Sequence, residues 1–339
     1  MEKYSQFRDR GSGVAPFFSI KSKPAGIYLP IFILLFVLKS PFIIIVTSYF
    51  LLLHWLPLGP LFRKAILWII LGIPGLWWFD LQIDGVRKGS LAKKHAGKIP
   101  GPSDVIASSF TSPIDALYLA AIFDPIFTIS YPHTEKVQVV SLFSAIFRAL
   151  NKPEEYPPKD AKMTDIKNIV SSNQDRPVVV FPECTTSNGL GILPLSPSLL
   201  TVSEKTKIFP LYLRYTPSYI TTPIPWLYFS FLWNLLATPT HCTCVRVGQA
   251  IYNKSPTEKY SSLNLSVTSP NILPRKMGEV KIIECMSNNV ENLSHIKSSE
   301  EKNVLDNVGE SLALLGRVPR VGLTVKDKLK FIEAWRSVR

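Results

Sequence analysis

The residues best placed to do chemistry lie in one stretch, Val178-Val179-Val180-Phe181-Pro182-Glu183-Cys184-Thr185-Thr186-Ser187-Asn188-Gly189. Four apolar residues after Asp175-Arg176-Pro177 read as a short buried strand, because β-branched residues suit the pleat and proline does not continue it. The run ends in Pro-Glu, then in small hydroxyl residues, an asparagine and a glycine, which is turn chemistry. A carboxylate fixed at the carboxyl end of a buried strand, among hydroxyls and free N–H groups, suits the polar head group of a substrate in an α/β protein.

A second acid stands upstream. Ser103 to Ser109 reads as a strand entering a loop, and Ala116 to Ile122 as a helix. Ser112 can cap that helix, with Pro113 at its first position and Asp115 in its first turn. Taken alone, Asp115 reads as helix-start electrostatics. Beyond it, His133 in Tyr131-Pro132-His133-Thr134, taken alone, reads as a surface residue. Lys136 and Arg148, taken alone, read as solvated charges, and Arg214 is a structural ion-pair partner or a phosphate ligand. His241-Cys242-x-Cys244 lacks a second ligand pair at zinc spacing, so no metal site is expected.

The elements that must position these residues are framed by composition. A net charge of +13 in 339 residues, with 46% hydrophobic residues, is unusual for a soluble globule. Together they point to a membrane surface and anionic substrates. Nucleic acid is not expected as a partner, since no recognition motif accompanies the charge. The four cysteines show no disulfide framework, which suits a cytosol-facing body. From Pro24 to Phe62 the sole charged residue is Lys39, and Ala65 to Phe79 is again uncharged. The Pro57-Leu58-Gly59-Pro60 turn joins these two apolar stretches, and basic residues flank both outer ends. The expectation is a membrane-embedded helical hairpin, dipping into one leaflet or spanning the bilayer.

Phe181-Pro182-Glu183-x-Thr185 resembles the third block of the glycerolipid O-acyltransferase family, which acylates lysophosphatidic acid and related lysophospholipids from acyl-CoA. The family's first block is His-x4-Asp at a loop running into a helix. Here Phe110-x4-Asp115 stands in that context, and Thr111-Ser112-Pro113 is also similar to family sequence. Lys207 to Tyr215, a strand with internal Pro210, resembles the fourth block, particularly in the lysophosphatidylcholine-acyltransferase branch. Leu314-Gly316-Val318-Pro319 into Asp327-Lys328 resembles the end of fungal members acting on lysophosphatidic acid. The resemblance covers residues 100–252 well and the hairpin loosely.

Two departures stand out. Phe110 replaces the histidine that serves the family as general base, and Cys184 replaces the usual glycine, although cysteine tolerates a positive φ poorly. The resemblance implies substrate contacts from Phe110, Thr111, Ser112, Phe181, Pro182, Glu183, Cys184, Thr185, Thr186 and Arg214. The second block's phosphate-binding arginine has no clear copy, leaving Lys136 and Arg148 as candidates. Asp115 would orient the acceptor or act as base, with His133 as a displaced base. No bound cofactor is implied; acyl-CoA would be co-substrate, with a lysophospholipid acceptor and membrane lipids as partners.

The expected fold is α/β, a mixed sheet flanked by helices, acyltransferase-like, behind the N-terminal membrane hairpin. The expected layout is a basic cytosolic tail (1–23), the hairpin (24–79), the α/β domain (80–254), a polar insertion (255–299) and C-terminal helices (300–339). The implied activity is lysophospholipid acylation, of lysophosphatidic acid above all, on the endoplasmic reticulum membrane or a lipid droplet. The alternative is a non-catalytic scaffold that keeps the fold without the histidine.

Overall fold

A computed structural model of the chain describes residues 2–22, 26–53, 59–86, 97–253 and 304–337. The expected insertion at 255–299, and the first residues of the C-terminal helices expected over 300–339, lie outside these residues.

Three runs rich in β-branched residues form the middle of the sheet: β2 (Val105–Ser108), β6 (Val178–Val180) and β7 (Lys207–Thr216). They pair in parallel, with Ile106 level with both Val179 and Phe209. The sheet is mixed and nine-stranded. It runs from edge strand β1 (Trp78–Ile83) through β8 (Cys242–Val247), β7, β2, β6, β3 (Ile126–Ile129) and β4 (Val137–Val140) to β5 (Met163–Thr164). A short β9 (Ile251–Tyr252) also pairs with β7.

Both faces of the central strands are buried, as continuous apolar runs require. Ile106, Val179 and Phe209 pack in the layer that contains α2 (Pro60–Gly72), α3 (Pro113–Phe123) and α4 (Leu142–Leu150). Val105, Ala107, Val178, Val180 and Ile208 pack in the opposite layer, with α5 (Ile166–Ser172) and α7, the helix covering 304–316. The chain closes with α8 (Val325–Arg336), started by a capping box between Thr324 and Asp327.

The expected hairpin is instead two unlike helices. The 25-residue α1 (Leu29–Leu53) is long and apolar enough to cross a membrane. The second stretch is α2, which buries Ile66, Leu67, Ile70 and Leu71 in the core of the body. Its charged pair fastens it there: Arg63 bonds to Asp124, which also meets Arg176 at 2.9 Å, and Lys64 Nζ donates to the Ile122 carbonyl at 3.0 Å. The end of the expected hairpin, Trp78-Phe79, forms part of strand β1, parallel to β8.

One face of α1 is held along its length. Phe36 meets Trp233 of α6 (Tyr228–Leu236) at 5.1 Å between ring centroids, and Phe50 meets Phe143 at 5.6 Å. Lys39, isolated in an apolar helix, donates to the carbonyls of Pro74 (3.2 Å), Thr238 (2.8 Å) and Pro239 (3.2 Å). The other face leaves Leu34, Val37, Leu38, Ile44 and Ile45 exposed.

The N-terminal segment packs across the body. Phe7 and Phe17 are buried, and both pack on Phe331 of α8.

Candidate active site

The carboxyl ends of β2 and β6 release two loops at the same edge of the sheet, 109–112 and 181–189. They are joined by one side chain. Glu183 is buried, and its carboxylate accepts from Phe110 N–H (3.3 Å) and from Leu193 N–H (3.1 Å). Ser187 N–H closes the contact on the Phe110 carbonyl at 3.0 Å. The two blocks that carry the family resemblance therefore form one buried cluster.

Asp115 completes the first loop. Ser112 caps α3, and Asp115 returns the capping box to the Ser112 N–H at 2.9 Å. The same carboxylate accepts from the Thr111 N–H (2.6 Å) and hydroxyl (3.2 Å), and from the Tyr215 hydroxyl at the end of β7. With these donors around it and no exposure, Asp115 holds the loop; it presents no free oxygen to a ligand.

The turn after Glu183 takes the left-handed shape that the missing glycine would favour. Cys184 has φ +59°, a conformation costing roughly 1–2 kcal/mol for a residue with a Cβ. Its N–H bonds to the Phe181 carbonyl at 3.1 Å, and burial pushes the thiol up to about 12. Gly189, at φ +72°, ends the stretch, its carbonyl held by the Tyr212 hydroxyl at 2.8 Å.

Burial dominates the electrostatics. It pushes the Asp115 carboxyl up to about 6, against the hydrogen bond from Tyr215 and the backbone N–H groups. It pushes Glu183 up to about 8, against the N–H bonds from Leu193 and Phe110. The opposite case is Lys328 of α8, wholly buried beneath the turn. Its Nζ donates to the Thr185 hydroxyl (2.9 Å), the Thr186 hydroxyl (3.0 Å) and the Thr186 carbonyl (2.6 Å), and burial lowers it to about 7. The hydroxyls of Thr185 and Thr186 thus serve the lysine, and Thr186 also donates to the Thr222 carbonyl at 2.7 Å.

Phe110 is buried and stacks on Phe181, with centroids 4.4 Å apart. His133 lies on the rim of a cavity of about 200 Å³ whose lining includes Glu183 and Cys184. Its Nε2 sits 3.0 Å from Glu155, and the same carboxylate meets Lys326 at 3.1 Å. Arg148 spends its guanidinium on Glu154 at 2.9 Å and over the ring of Tyr131. Lys136 is exposed on the β3–β4 turn, apart from the cluster. Arg214 alternates away from Tyr215 along β7 and lines a different cavity. His241 Nε2 lies 2.9 Å from the Leu235 carbonyl, and no metal-holding group forms among the described residues.

Tyr215 and Lys328 are the residues of this candidate site that sequence reasoning missed. Each left a signal. Tyr215 follows the inward alternation of Leu211 and Leu213. Lys328 falls on the helix face of Val325, Phe331 and Ile332, where a lone lysine implies buried partners.

The Asn188 side chain donates to the carbonyls of Ala15 (2.8 Å) and Phe18 (3.0 Å), so the N-terminal segment and α8 together cover the turn. No protein-family model matches the chain. Two fungal proteins do. A Schizosaccharomyces pombe protein, provisionally named a lysophosphatidic acid:oleoyl-CoA acyltransferase, is 25% identical over 309 residues, 90% of this chain and 100% of its own. The Saccharomyces cerevisiae lysophosphatidic acid:oleoyl-CoA acyltransferase 1 is 24% identical over 342 residues, covering 99% and 98%. The chain is therefore homologous, along nearly its whole length, to fungal lysophosphatidic acid:oleoyl-CoA acyltransferases.

Proposed function

We propose that the chain is an acyl-CoA-dependent lysophospholipid acyltransferase that converts lysophosphatidic acid to phosphatidic acid, with oleoyl-CoA as a donor. The observation that carries the reading is the bond between Phe110 N–H and Glu183, which unites the two motif blocks at the carboxyl edge of the sheet. The acceptor hydroxyl attacks the thioester carbonyl and gives up its proton to a base. The C–S bond then breaks, and CoA leaves as the thiol after taking a proton.

Phe110 stands at the family's base position, stacked on Phe181, and accepts no proton. Asp115 keeps a positioning role, because its oxygens are already occupied. We assign the base to His133. With Nε2–H directed to Glu155, Nδ1 is left to take the proton at a cavity shared with Glu183. Glu183 has the positioning role on the other loop, fixing it through Phe110 and Leu193 at the wall of that cavity. The protein works at the endoplasmic reticulum membrane or a lipid droplet with its body in the cytosol. The exposed face of α1, continued by Trp77, Trp78 and Phe229, supports membrane contact.

One observation favours a second reading, a scaffold without chemistry: the stacked phenylalanines close the usual base position. The deciding experiment is transfer from labelled oleoyl-CoA to lysophosphatidic acid by the purified full chain, beside His133→Ala and Phe110→His. Activity that disappears in His133→Ala is the expected result. Activity that survives it removes His133 from the mechanism. A silent native chain that gains transfer with Phe110→His establishes the scaffold.

A further inference from the structure

A cavity of about 830 Å³ lies beside the Asp115 cluster. It opens between the N-terminal segment, the start of α1, the end of β7 and α6, and is lined by Lys21, Arg214, Tyr28, Phe32, Tyr219 and Trp233 among others. Two features set it apart. Lys21 and Arg214 are both exposed, no carboxylate lines the cavity, and neither cation makes an ion pair among the described residues. Its apolar wall is also continuous with the exposed Ile27 and Tyr28 and with the bare face of α1 that follows from Leu29.

A free phosphate would satisfy the cations and leave the aromatic wall wet. A choline head group would bring a further cation to a site that already holds two. An anionic head group joined to a hydrocarbon chain satisfies both halves, and the volume falls in the range of small-ligand sites. We propose that this cavity binds an anionic phospholipid from the membrane, its phosphate between Lys21 and Arg214 and its chain along Phe32 towards α1. Tyr215 lines the cavity while its hydroxyl holds Asp115, so the lipid lies one side chain from the candidate active site. The inference stands whether or not the chain transfers acyl groups.

The test is equilibrium binding of labelled 1-oleoyl-lysophosphatidate to the full chain in neutral detergent. The competitors are 1-oleoyl-lysophosphatidylcholine and glycerol 3-phosphate. The native chain should prefer the phosphate lipid over the choline lipid by roughly tenfold, with glycerol 3-phosphate weaker still. The Lys21→Gln/Arg214→Gln double variant should lose that preference. A charge-matched control at the exposed Lys152 and Lys167 should keep it. The inference falls if the cavity variant keeps the preference, if the control loses it equally through bulk charge, or if glycerol 3-phosphate competes as well as the lipid.

Discussion

Glu183 makes the sharpest demand on the folded chain. Its carboxyl titrates at about 8 in the native state, against 4.5 for an ordinary glutamate, because burial outweighs its two N–H bonds. The folded chain therefore binds a proton that the unfolded chain releases, and the contribution is lost as pH rises from about 4.5 through about 8. Between pH 6 and 8 this removes about 2 kcal/mol of stability, from the two pKa values and 1.36 kcal/mol per unit. Glu183→Gln does not titrate. Its amide keeps one acceptor oxygen but turns its NH2 on the other of the two N–H groups, which costs about 1–3 kcal/mol at every pH. Lys328, lowered to about 7 from 10.5, contributes in the opposite direction as pH rises. It is present in both proteins, so it largely cancels in their difference. The assay is equilibrium denaturant unfolding of both full-length chains in neutral detergent from pH 6 to 8. The native chain should be the more stable at pH 6, and the gap should shrink by about 2 kcal/mol by pH 8. A constant gap would mean that Glu183 ionises at its ordinary value in the folded chain, and the buried-carboxyl account of the turn would be wrong.

Tyr215→Phe should destabilise the chain by about 1.5–3 kcal/mol, since it takes a donor from a buried carboxylate; an unchanged unfolding midpoint would show that the bond to Asp115 is not made. Lys39→Met should leave the Pro74, Thr238 and Pro239 carbonyls without their donor and cost about 1–3 kcal/mol. It should also speed proteolytic release of α1 from the body, and cleavage at the native rate would exclude the clamp.

What was legible in the sequence is what local chemistry dictates. Val178 to Val180 is a strand in any context that buries it, and Ser112-Pro113-x-Asp115 starts a helix before any tertiary contact forms. Hydrophobicity, by contrast, does not say what covers an apolar face. Ala65 to Phe79 is as apolar as a membrane segment, yet its helix faces α3 and its end pairs with β8, a partner more than 160 residues downstream. The warning was Arg63-Lys64, a charged pair whose partners, Asp124 and the Ile122 carbonyl, exist nowhere but in the folded body.

The candidate site divides along the same line. Asp115 and Glu183 were visible as motif positions, and the loss of the histidine was visible in Phe110. Their connections were not, because each runs through a partner distant in sequence: Glu183 to Phe110 and Leu193, Asp115 to Tyr215, Thr185 and Thr186 to Lys328. These long-range bonds bear on whether the chain is an enzyme. Phe110 holds the sequence position at which the resembling family carries its histidine, and it stacks on Phe181 while its own N–H serves Glu183. A phenylalanine accepts no proton, so the proposed transfer draws its base from outside the first block, and the His133–Glu155 pair stands on the cavity that reaches Glu183.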